Sequence, residues 1–324
     1  MRSGIVTIGE TMALLGTPDH CLLRPGSAPS LTIGGAESNV AIAASRLGVP
    51  AMWIGRLGND DLGALVEREL RALGVVVHAP RDPDAPTGLM VKEHRHGRPT
   101  HVRYYRKHSA GSRLEPADLN REAIASAAIV HLTGITAALG DSAGDALQQA
   151  TAMARDAGVT VSFDVNYRAT LWSAEAAAAP LRKLAGAADI VFAGPEEAEL
   201  LVSGNLDSTG RNDDPWVAAT ELAYQIRRLG PRIVVIKLGS LGALALADDT
   251  IYTHPIVPID AVDPVGAGDA FVGAFLAELA LDKPIETCLR SGARMGALVC
   301  AVPGDWEGSL DWGTASGRLA DVVR

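Results

Sequence analysis

The chain has 324 residues and a formal net charge of −9 at pH 7. Its hydrophobic share of 48% and charged share of 21% are those of a folded globular protein and exclude a disordered one. The negative net charge argues against a general nucleic-acid-binding surface, because such a surface needs a basic face. An anionic ligand would therefore have to be held by a few locally placed cations.

Three cysteines, Cys21, Cys288 and Cys300, show no metal-ligand spacing. An odd and sparse cysteine count is typical of a reducing compartment. Residues 1–8 lack the long apolar segment of a signal peptide, and no run approaches the length of a membrane span. We therefore expect a cytoplasmic protein of enzyme size.

Short apolar strands alternate with helices along the chain, beginning with a strand over Ile5–Ile8 and a helix over Ala36–Leu47. The same signals predict strands at Met52–Ile54, Ile129–Leu132, Val159–Phe163, Ile190–Phe192 and Ile233–Lys237, and helices at Asp60–Leu73, Ser142–Asp156, Ala174–Leu184 and Trp216–Leu229. This alternation predicts an α/β fold in which helices cover both faces of a parallel sheet. We expect one domain over residues 1–324, with ligands beyond the carboxyl ends of the strands.

Two segments, residues 11–34 and 86–108, break the alternation because they combine strand-like and turn residues without helices. Thr100–Arg106 alternates as a strand, and His96–Pro99 has the composition of a turn. A small sheet that projects from the main body would account for both segments. It could act as a lid over the active site, as a contact in a homo-oligomer, or as both.

The most informative segment is Asp263-Pro-Val-Gly-Ala-Gly-Asp269, which leads directly into an apolar run at 270–276. Small residues at a helix start leave backbone N–H groups pointing at one spot, which favours an anion such as a phosphate. A carboxylate should repel that anion. Asp269 makes sense there if it accepts a proton from a hydroxyl that attacks the phosphate, although it could equally cap the helix.

Two common nucleotide-binding motifs are absent from the sequence. No Gly-Lys-Ser/Thr tripeptide occurs, which excludes a Walker A loop, and Phe271 stands where a Rossmann fingerprint needs its third glycine. A second glycine motif lies near the other end of the chain, where Gly34 and Gly35 precede Asn39 in a predicted first helical turn. Asn39 could cap that helix or donate to sugar hydroxyls.

These two motifs, with Gly48 and the segment 55–63, closely resemble the pfkB (ribokinase-like) family of carbohydrate kinases over essentially the whole chain. The resemblance implies a doubly wound parallel sheet with helices on both faces and a small β-sheet lid. It also implies ATP with Mg²⁺ and phosphorylation of a sugar hydroxyl. By that resemblance Asp269 is the catalytic base, and the backbone N–H groups of Gly266, Ala267 and Gly268 form an anion hole. The residues that would contact the sugar hydroxyls are Gly34, Gly35 and Asn39.

Two further segments resemble those of 2-keto-3-deoxygluconate kinases, which phosphorylate the terminal hydroxyl of a sugar acid. Tyr104 and Arg106 are two apart in a predicted strand, and Asn166 and Arg168 follow a buried strand with the same parity. Two guanidinium groups at one site suit a substrate carboxylate better than a neutral sugar. The alternatives are a solvated strand arginine for Arg106 and a structural pair with a buried acid for Arg168.

The nucleotide contacts implied by the resemblance lie in the turn after a predicted strand and at the helix start: Lys237, Gly239, Ser240, Gly242, Gly266 and Gly268. Lys237 could meet phosphates or pair with a carboxylate. Asp305 is a candidate substrate contact, and Asp263 could take part in binding a monovalent cation such as K⁺. Gly194 replaces an Asn that the family often carries, which puts a magnesium-linked role for Glu197 in doubt.

Other interpretations remain open at this point. A fructokinase or ribokinase specificity is the main alternative, followed by a nucleoside kinase and by a non-catalytic sugar-binding homologue. The sequence does not distinguish a gluconate from a galactonate epimer. Four histidines, at 94, 96, 101 and 108, cluster in the presumed lid, but without an acidic or thiol partner they favour a solvated hairpin over a metal site.

Overall fold

The computed structural model describes residues 4–17, 25–93, 101–206 and 213–309. Cys21, His94, His96 and the predicted turn at 96–99 lie outside these residues. Within the described ranges, no helix is both long enough and apolar enough to cross a membrane.

Strands and helices alternate much as the sequence predicts. The strands are β1 (Ile5–Ile8), β2 (Met12–Gly16), β3 (Ser30–Gly34), β4 (Ala51–Ile54), β5 (Leu57–Gly58), β6 (Val75–His78), β7 (Arg81–Asp82), β8 (Leu89–Glu93), β9 (His101–Tyr105), β10 (Ile129–Thr133), β11 (Thr160–Asp164), β12 (Ile190–Ala193), β13 (Ile233–Lys237), β14 (Gly242–Ala247) and β15 (Thr250–Pro255). The helices are α1 (Ala36–Arg46), α2 (Asp61–Ala72), α3 (Arg121–Ser126), α4 (Gly134–Ala137), α5 (Asp141–Asp156), α6 (Ala174–Ala187), α7 (Pro195–Ser203), α8 (Pro215–Arg227), α9 (Ala267–Ala280) and α10 (Ile285–Cys300).

A nine-stranded sheet forms the body, in the order β15-β14-β13-β12-β11-β10-β1-β4-β6. The seven strands from β13 to β6 are parallel, and β14 and β15 add an antiparallel edge. The chain winds outward from β1 in both directions, through β4 on one side and β10 on the other. Such a switch point leaves a crevice beyond the carboxyl ends of the strands, where ligands bind in open α/β sheets.

Helices cover both faces of this sheet, and each face has its own apolar core. Ile5 and Trp53 belong to the core that α1, α9 and α10 complete. Val6 and Ile54, the next residues along the same strands, belong to the core that α5, α6 and α8 complete. The strands are apolar on both sides because both sides are buried. The predicted α/β fold is confirmed.

Polar caps fix where several helices begin. Asp60 accepts the Gly63 amide at the start of α2 at 2.7 Å. Asp214 caps α8 in the same way by accepting the Trp216 amide at 2.8 Å. Each cap satisfies an N–H group that has no partner within the helix.

A separate four-stranded sheet has the order β3-β2-β8-β9 and contains the strands of the two segments that broke the alternation. Met12, Leu14 and Met90 form its own small core. Leu31 and Tyr105 lie exposed on it, at 50% and 61% of their accessible surface. We call this element the small sheet.

Helix α9, which carries the glycine-rich motif at its start, is anchored to the large sheet by aromatic packing. The ring of Phe275 meets that of Phe192 on β12 edge to face, with centroids 5.2 Å apart. It also stacks on Phe271 one turn earlier, at 6.3 Å. The position of the helix start therefore depends on this buried cluster.

We expect Phe275→Ala to lower the free energy of unfolding by about 3–5 kcal/mol, because it removes a buried ring and leaves a cavity. Tyr224→Ala on α8 is the control, since Tyr224 is 39% exposed and its loss should change stability by about 0.5 kcal/mol or less. Urea unfolding measures both. Equal losses for the two variants would contradict the anchoring of α9 by this cluster.

Candidate active site

Two clefts open at the carboxyl edge of the large sheet and meet at the start of α9. The first, of about 940 Å³, lies between that edge and the small sheet. The second, of about 520 Å³, lies between the turn after β13 and helices α9 and α10. Both clefts are lined by Pro264 and Gly268, so a ligand in one can reach a ligand in the other at this point.

The start of α9 requires glycine at position 266. Gly266 is the N-cap with φ 82°, a left-handed conformation that side chains rarely adopt. A Cβ there would lie 1.9 Å from the carbonyl oxygen of Asp305. Within the described chain, the amides of Gly266, Gly268 and Asp269 donate to no other residue, whereas Ala267 N–H donates to Pro264 at 3.3 Å. The turn thus offers donors at a helix N-terminus.

Asp269 lies in the first turn of α9, faces the first cleft and is held by two asparagines. Asn39 Nδ2, from the first turn of α1, donates to Asp269 Oδ2 at 2.9 Å. Asn166 Nδ2, just beyond β11, donates to Oδ1 at 3.3 Å. Asn166 has φ 38°, so the backbone is strained where it brings this amide to the carboxylate. Each carboxylate oxygen therefore has a fixed orientation.

The surroundings of Asp269 keep its charge poorly hydrated. Burial raises the pKa of Asp269 to about 7, against the opposing effect of the Asn39 hydrogen bond, and the nearby Asp164 carboxylate raises it further. A carboxyl group with that pKa exchanges a proton near neutral pH, which suits a general base or acid.

Lys237, at the end of β13, pairs with Asp164 at the end of β11, with Nζ 2.6 Å from Oδ2. Burial alone would lower the pKa of Lys237, but Asp164 and Glu197 reverse that effect and raise it, so the side chain stays charged. A Cβ on Gly268 would lie 3.8 Å from Lys237 Nζ. The ammonium therefore both pairs with a carboxylate and lies beside the start of α9.

Glu197 lines neither cleft. Its Oε2 accepts the Gly194 amide at 2.7 Å, and its Oε1 accepts the Tyr167 amide at 3.0 Å. Burial raises the pKa of Glu197. In this structure Glu197 joins α7 to the segment after β11, and we assign it no metal.

Arg106 is not the free guanidinium that the sequence suggested. Its Nε lies 2.7 Å and its Nη2 2.6 Å from Oε2 of Glu10, which is buried at the end of β1. Ser109 donates to the other oxygen of Glu10. Arg106 still borders the first cleft, and the Tyr104 ring lies 5.7 Å from its guanidinium carbon. The alternative expected from the sequence for Arg168 is a structural pair with a buried acid. In the structure it is Arg106 that forms such a pair.

Arg168 is an exposed cation of the first cleft, which the exposed Arg103 and Lys107 also line. Nη1 of Arg168 donates to the Tyr167 carbonyl at 3.0 Å, and the side chain lines the cleft opposite Tyr104. Tyr104 is 42% exposed. Burial raises the pKa of its hydroxyl, and the nearby Arg168 opposes that rise. Arg168 and Tyr104 can therefore contact a ligand without first breaking an ion pair.

Asp305 and Gly35 also line the first cleft. Oδ2 of Asp305 would lie 2.7 Å from a Cβ on Gly34, the last residue of β3. Gly34 itself does not line the cleft, but its lack of a side chain leaves room for that carboxylate. A Cβ on Gly35 would come 2.4 Å from the Glu10 carbonyl.

The second cleft is mostly apolar. Gly239 and Gly242 have φ of 57° and 120°, and a Cβ on Gly242 would come 2.1 Å from the His254 carbonyl. Ser240 and Lys237 also line it, and α10 supplies small residues, among them Ala293. Apolar walls suit a flat aromatic base, and the amides at the start of α9 with Lys237 suit phosphates.

A carbohydrate kinase needs this arrangement of a sugar-sized cleft and a nucleotide-sized cleft that share a base and an anion-binding turn. The profile of the pfkB family of carbohydrate kinases matches residues 2–312. The chain belongs to this family.

Several members of the pfkB family are similar over nearly the whole chain. A 2-dehydro-3-deoxygalactonokinase of Haloferax volcanii is 37% identical over 306 residues, which cover 94% of this chain and 93% of that protein. A 2-dehydro-3-deoxygluconokinase of Bacillus subtilis is 35% identical over 312 residues, 95% and 93% of the two chains. The crystal structure of 2-dehydro-3-deoxygluconokinase from Thermotoga maritima superposes with a TM-score of 0.87 at 29% identity, covering 97% and 100%.

Of the site residues named from the sequence, all except Gly34, Glu197 and Asp263 line one of the two clefts of this pfkB protein. No group of three or more His, Cys, Asp or Glu side chains that could hold a metal ion occurs in the part of the chain that the structure describes. Magnesium bound to nucleotide phosphates needs only one or two protein carboxylates. Oδ1 of Asp164 is buried without a partner among the described residues, and it fits that need.

Sequence reasoning missed two residues that shape the site, Lys92 and Glu10. The ammonium of Lys92, on β8, lies 2.6 Å from Asp263 Oδ2 and 2.6 Å from Asp305 Oδ1. The carboxylate proposed for a monovalent cation thus pairs with a lysine. The one available signal was that Lys92 shares strand parity with the apolar Met90.

We expect Asp269→Asn to stabilise the ligand-free protein at alkaline pH. The folded pKa of about 7 exceeds the ordinary value of about 4. The protonated Asp269 side chain therefore contributes to folding stability in full below about pH 4, and this contribution is lost as the pH rises from about 4 to about 7. Thermal melting of both proteins at about pH 5 and about pH 8 measures the effect. At the higher pH the melting temperature of Asp269→Asn should rise relative to that of the wild type. Asp156→Asn, at an exposed position of α5, should show no such rise.

Proposed function

We propose that this pfkB protein transfers the γ-phosphoryl group of ATP to the terminal hydroxyl of a six-carbon 2-keto-3-deoxy sugar acid, 2-keto-3-deoxygluconate or its galactonate epimer. The observation that carries the proposal is the position of Asp269. Its carboxylate is fixed by Asn39 and Asn166 beside the amides of α9, where the two clefts meet.

The sugar acid occupies the first cleft, with its terminal hydroxyl at Asp269 and its carboxylate at Arg168. Tyr104 packs over the carboxylate end of the sugar acid, and Asp305 accepts a hydrogen bond from a sugar hydroxyl. A guanidinium matches a carboxylate with two parallel hydrogen bonds. Since Arg106 is held by Glu10, it contributes through its remaining N–H groups and through the orientation of Tyr104.

ATP occupies the second cleft, with its base between the apolar walls and its phosphates at the start of α9. Magnesium bound to those phosphates would neutralise part of their charge, and Asp164, whose Oδ1 has no partner among the described residues, would help to hold it. Lys237 lies beside the start of α9 and would contact the phosphates.

Asp269 accepts the proton of the terminal hydroxyl as that oxygen approaches the γ-phosphorus. The new oxygen–phosphorus bond forms as the bond to the β-phosphate oxygen breaks, and ADP leaves with the electron pair. The amides of Gly266 and Gly268 stabilise the charge on the equatorial oxygens of the transferring group. The proton on Asp269 then passes to solvent, which a pKa of about 7 allows at neutral pH.

The small sheet forms one wall of the first cleft, through residues of β8 and β9. We assign it the role of a lid that keeps water away from the γ-phosphate, because water would compete with the sugar as nucleophile. Phosphoryl transfer from ATP, together with the sparse cysteines, supports a cytoplasmic location.

We expect Asp269→Asn to lower kcat by about a thousandfold or more while sugar-acid binding stays nearly intact, because an amide cannot accept the proton. For the wild type, kcat/KM should fall about tenfold per pH unit below pH 7 and level off above it, since the base must be deprotonated. A coupled ADP-release assay and calorimetric titration of the sugar acid measure the two effects. Turnover of the variant above a few percent of wild type would reject this assignment.

We expect Arg168→Ala to lower kcat/KM for 2-keto-3-deoxygluconate by about tenfold to a hundredfold, because it removes charged hydrogen bonds to the substrate carboxylate. Activity on fructose, which has no carboxylate, should change little. Arg106→Ala is the comparison: it leaves Glu10 buried without its partner, so it should cost about 3–5 kcal/mol of stability and reduce use of both sugars. If Arg168→Ala reduced both activities equally, the carboxylate assignment would be wrong, and a neutral-sugar kinase would be favoured.

A further inference from the structure

Lys92 is a buried charged residue next to the site that the proposed chemistry does not use. It lies on β8 of the small sheet with 1% of its surface exposed. Its ammonium contacts Asp263 Oδ2 and Asp305 Oδ1 at 2.6 Å each, and it donates to the Gly304 carbonyl at 3.0 Å. All three N–H groups of the ammonium therefore have an acceptor.

The two carboxylates keep this lysine charged. Burial alone would lower the pKa of Lys92, but the charges of Asp305 and Asp263 outweigh burial and raise it. Burial raises the pKa of Asp305, and Lys92 opposes that rise. A buried ion is tolerated only when it is paired and hydrogen-bonded in this way.

Both carboxylates belong to segments that shape the start of α9. Oδ1 of Asp263 accepts the Val265 amide at 3.2 Å, and Oδ2 accepts the Gly304 amide at 3.3 Å. The carbonyl oxygen of Asp305 lies where a side chain on Gly266 would be, so the backbone of Asp305 packs directly against the N-cap. We call residues 263–268 the phosphate-binding turn. Lys92 thus cross-links this turn, the turn at 303–307 and the small sheet.

We propose that the Lys92 ammonium is a tethered monovalent cation that positions the phosphate-binding turn, so that phosphoryl transfer needs no free cation such as K⁺. Two carboxylate oxygens and a carbonyl oxygen are ligands that a free monovalent cation would take, and an ammonium satisfies the same oxygens. Lys92 is a positioning residue, because it acts through Asp263 and Asp305 and touches no reacting atom. This inference rests on the phosphoryl transfer proposed above, but not on which sugar accepts the group.

The tether also joins substrate enclosure to the chemistry. Because β8 belongs to the small sheet, the ammonium reaches Asp263 only while that sheet is seated against the large one. The turn that receives the γ-phosphate is therefore held in place by the same element that covers the first cleft.

The first experiment uses the wild-type protein, magnesium ATP and whichever sugar gives the fastest ADP release. The chloride salts of K⁺, Na⁺ and tetramethylammonium are compared at equal ionic strength. We expect kcat to agree within about twofold, because the cation position is filled from within. An increase of about tenfold or more with K⁺ over tetramethylammonium would overturn the proposal.

The second experiment removes the ammonium. Lys92→Met, which keeps an apolar stem, should lower kcat by about a hundredfold with a smaller change in the KM for ATP. Lys92→Ala leaves a space lined by two carboxylates, and ammonium, methylammonium or K⁺ should restore its kcat by about tenfold or more in a saturable way. Lys92→Arg, which keeps the charge, should retain more activity than either. Lys183→Met, at an exposed lysine of α6, should behave as the wild type.

If Lys92 had only a structural role, its replacement would lower the melting temperature, but kcat of the variants would not depend on added cations. If Lys92→Met kept its kcat, or if no cation restored Lys92→Ala, the proposal would be rejected. Should Lys92→Met fail to fold, the cation comparison on the wild type still decides. If the wild type transfers phosphate to no sugar, the proposed function fails and this inference with it; turnover that depends on K⁺ refutes this inference alone.

Discussion

The site depends on a carboxylate held at a place built for an anion. The amides at the start of α9 and the ammonium of Lys237 favour a phosphate, while Asp269 repels it. Two asparagines fix the carboxylate, and burial raises its pKa to about 7. Repulsion is reduced whenever the carboxyl carries the proton, so Asp269 is least compatible with a phosphate when it is deprotonated. In the proposed reaction, uptake of the hydroxyl proton by Asp269 would relieve that conflict.

The large sheet makes this geometry possible because it brings distant segments to one edge. Asn166 follows β11, Asn39 lies in the first turn of α1, the helix that leads into β4, and Asp269 lies 230 residues after Asn39. Parallel strands expose their carboxyl ends together, so each crossover can deliver one polar side chain. Helix α9 is fixed independently by the aromatic packing of Phe275 on the sheet. The Asp269 carboxylate is therefore positioned by the core and oriented by hydrogen bonds, which are separate constraints.

The fold and the positions of the glycine turns could be predicted from the sequence, whereas ion pairing could not. Gly266 is needed both for its left-handed φ and for close approach of a backbone, and such needs leave a local signature. Arg106 and Lys92 are different, because their partners Glu10 and Asp305 lie 96 and 213 residues away along the chain. The alternation of side chains along a strand gives the face on which a cation lies, but it does not identify the carboxylate that pairs with that cation. The alternation of β8 put Lys92 on the buried face, and burial of a lysine requires a partner that only the tertiary structure supplies.

These buried pairs change how the charge of the first cleft should be counted. The sequence offers Arg106, Arg168 and Lys92 near the small sheet, but Glu10 neutralises the first, and Asp263 and Asp305 more than neutralise the last. Arg168, Arg103 and Lys107 remain as exposed cations that line the cleft. Under the proposed function, the carboxylate of a sugar acid is bound by Arg168 and not by the guanidinium that Glu10 holds. In the proposed complex, selectivity for the carboxylate depends on the Tyr167 carbonyl, which orients Arg168, and on the Tyr104 ring.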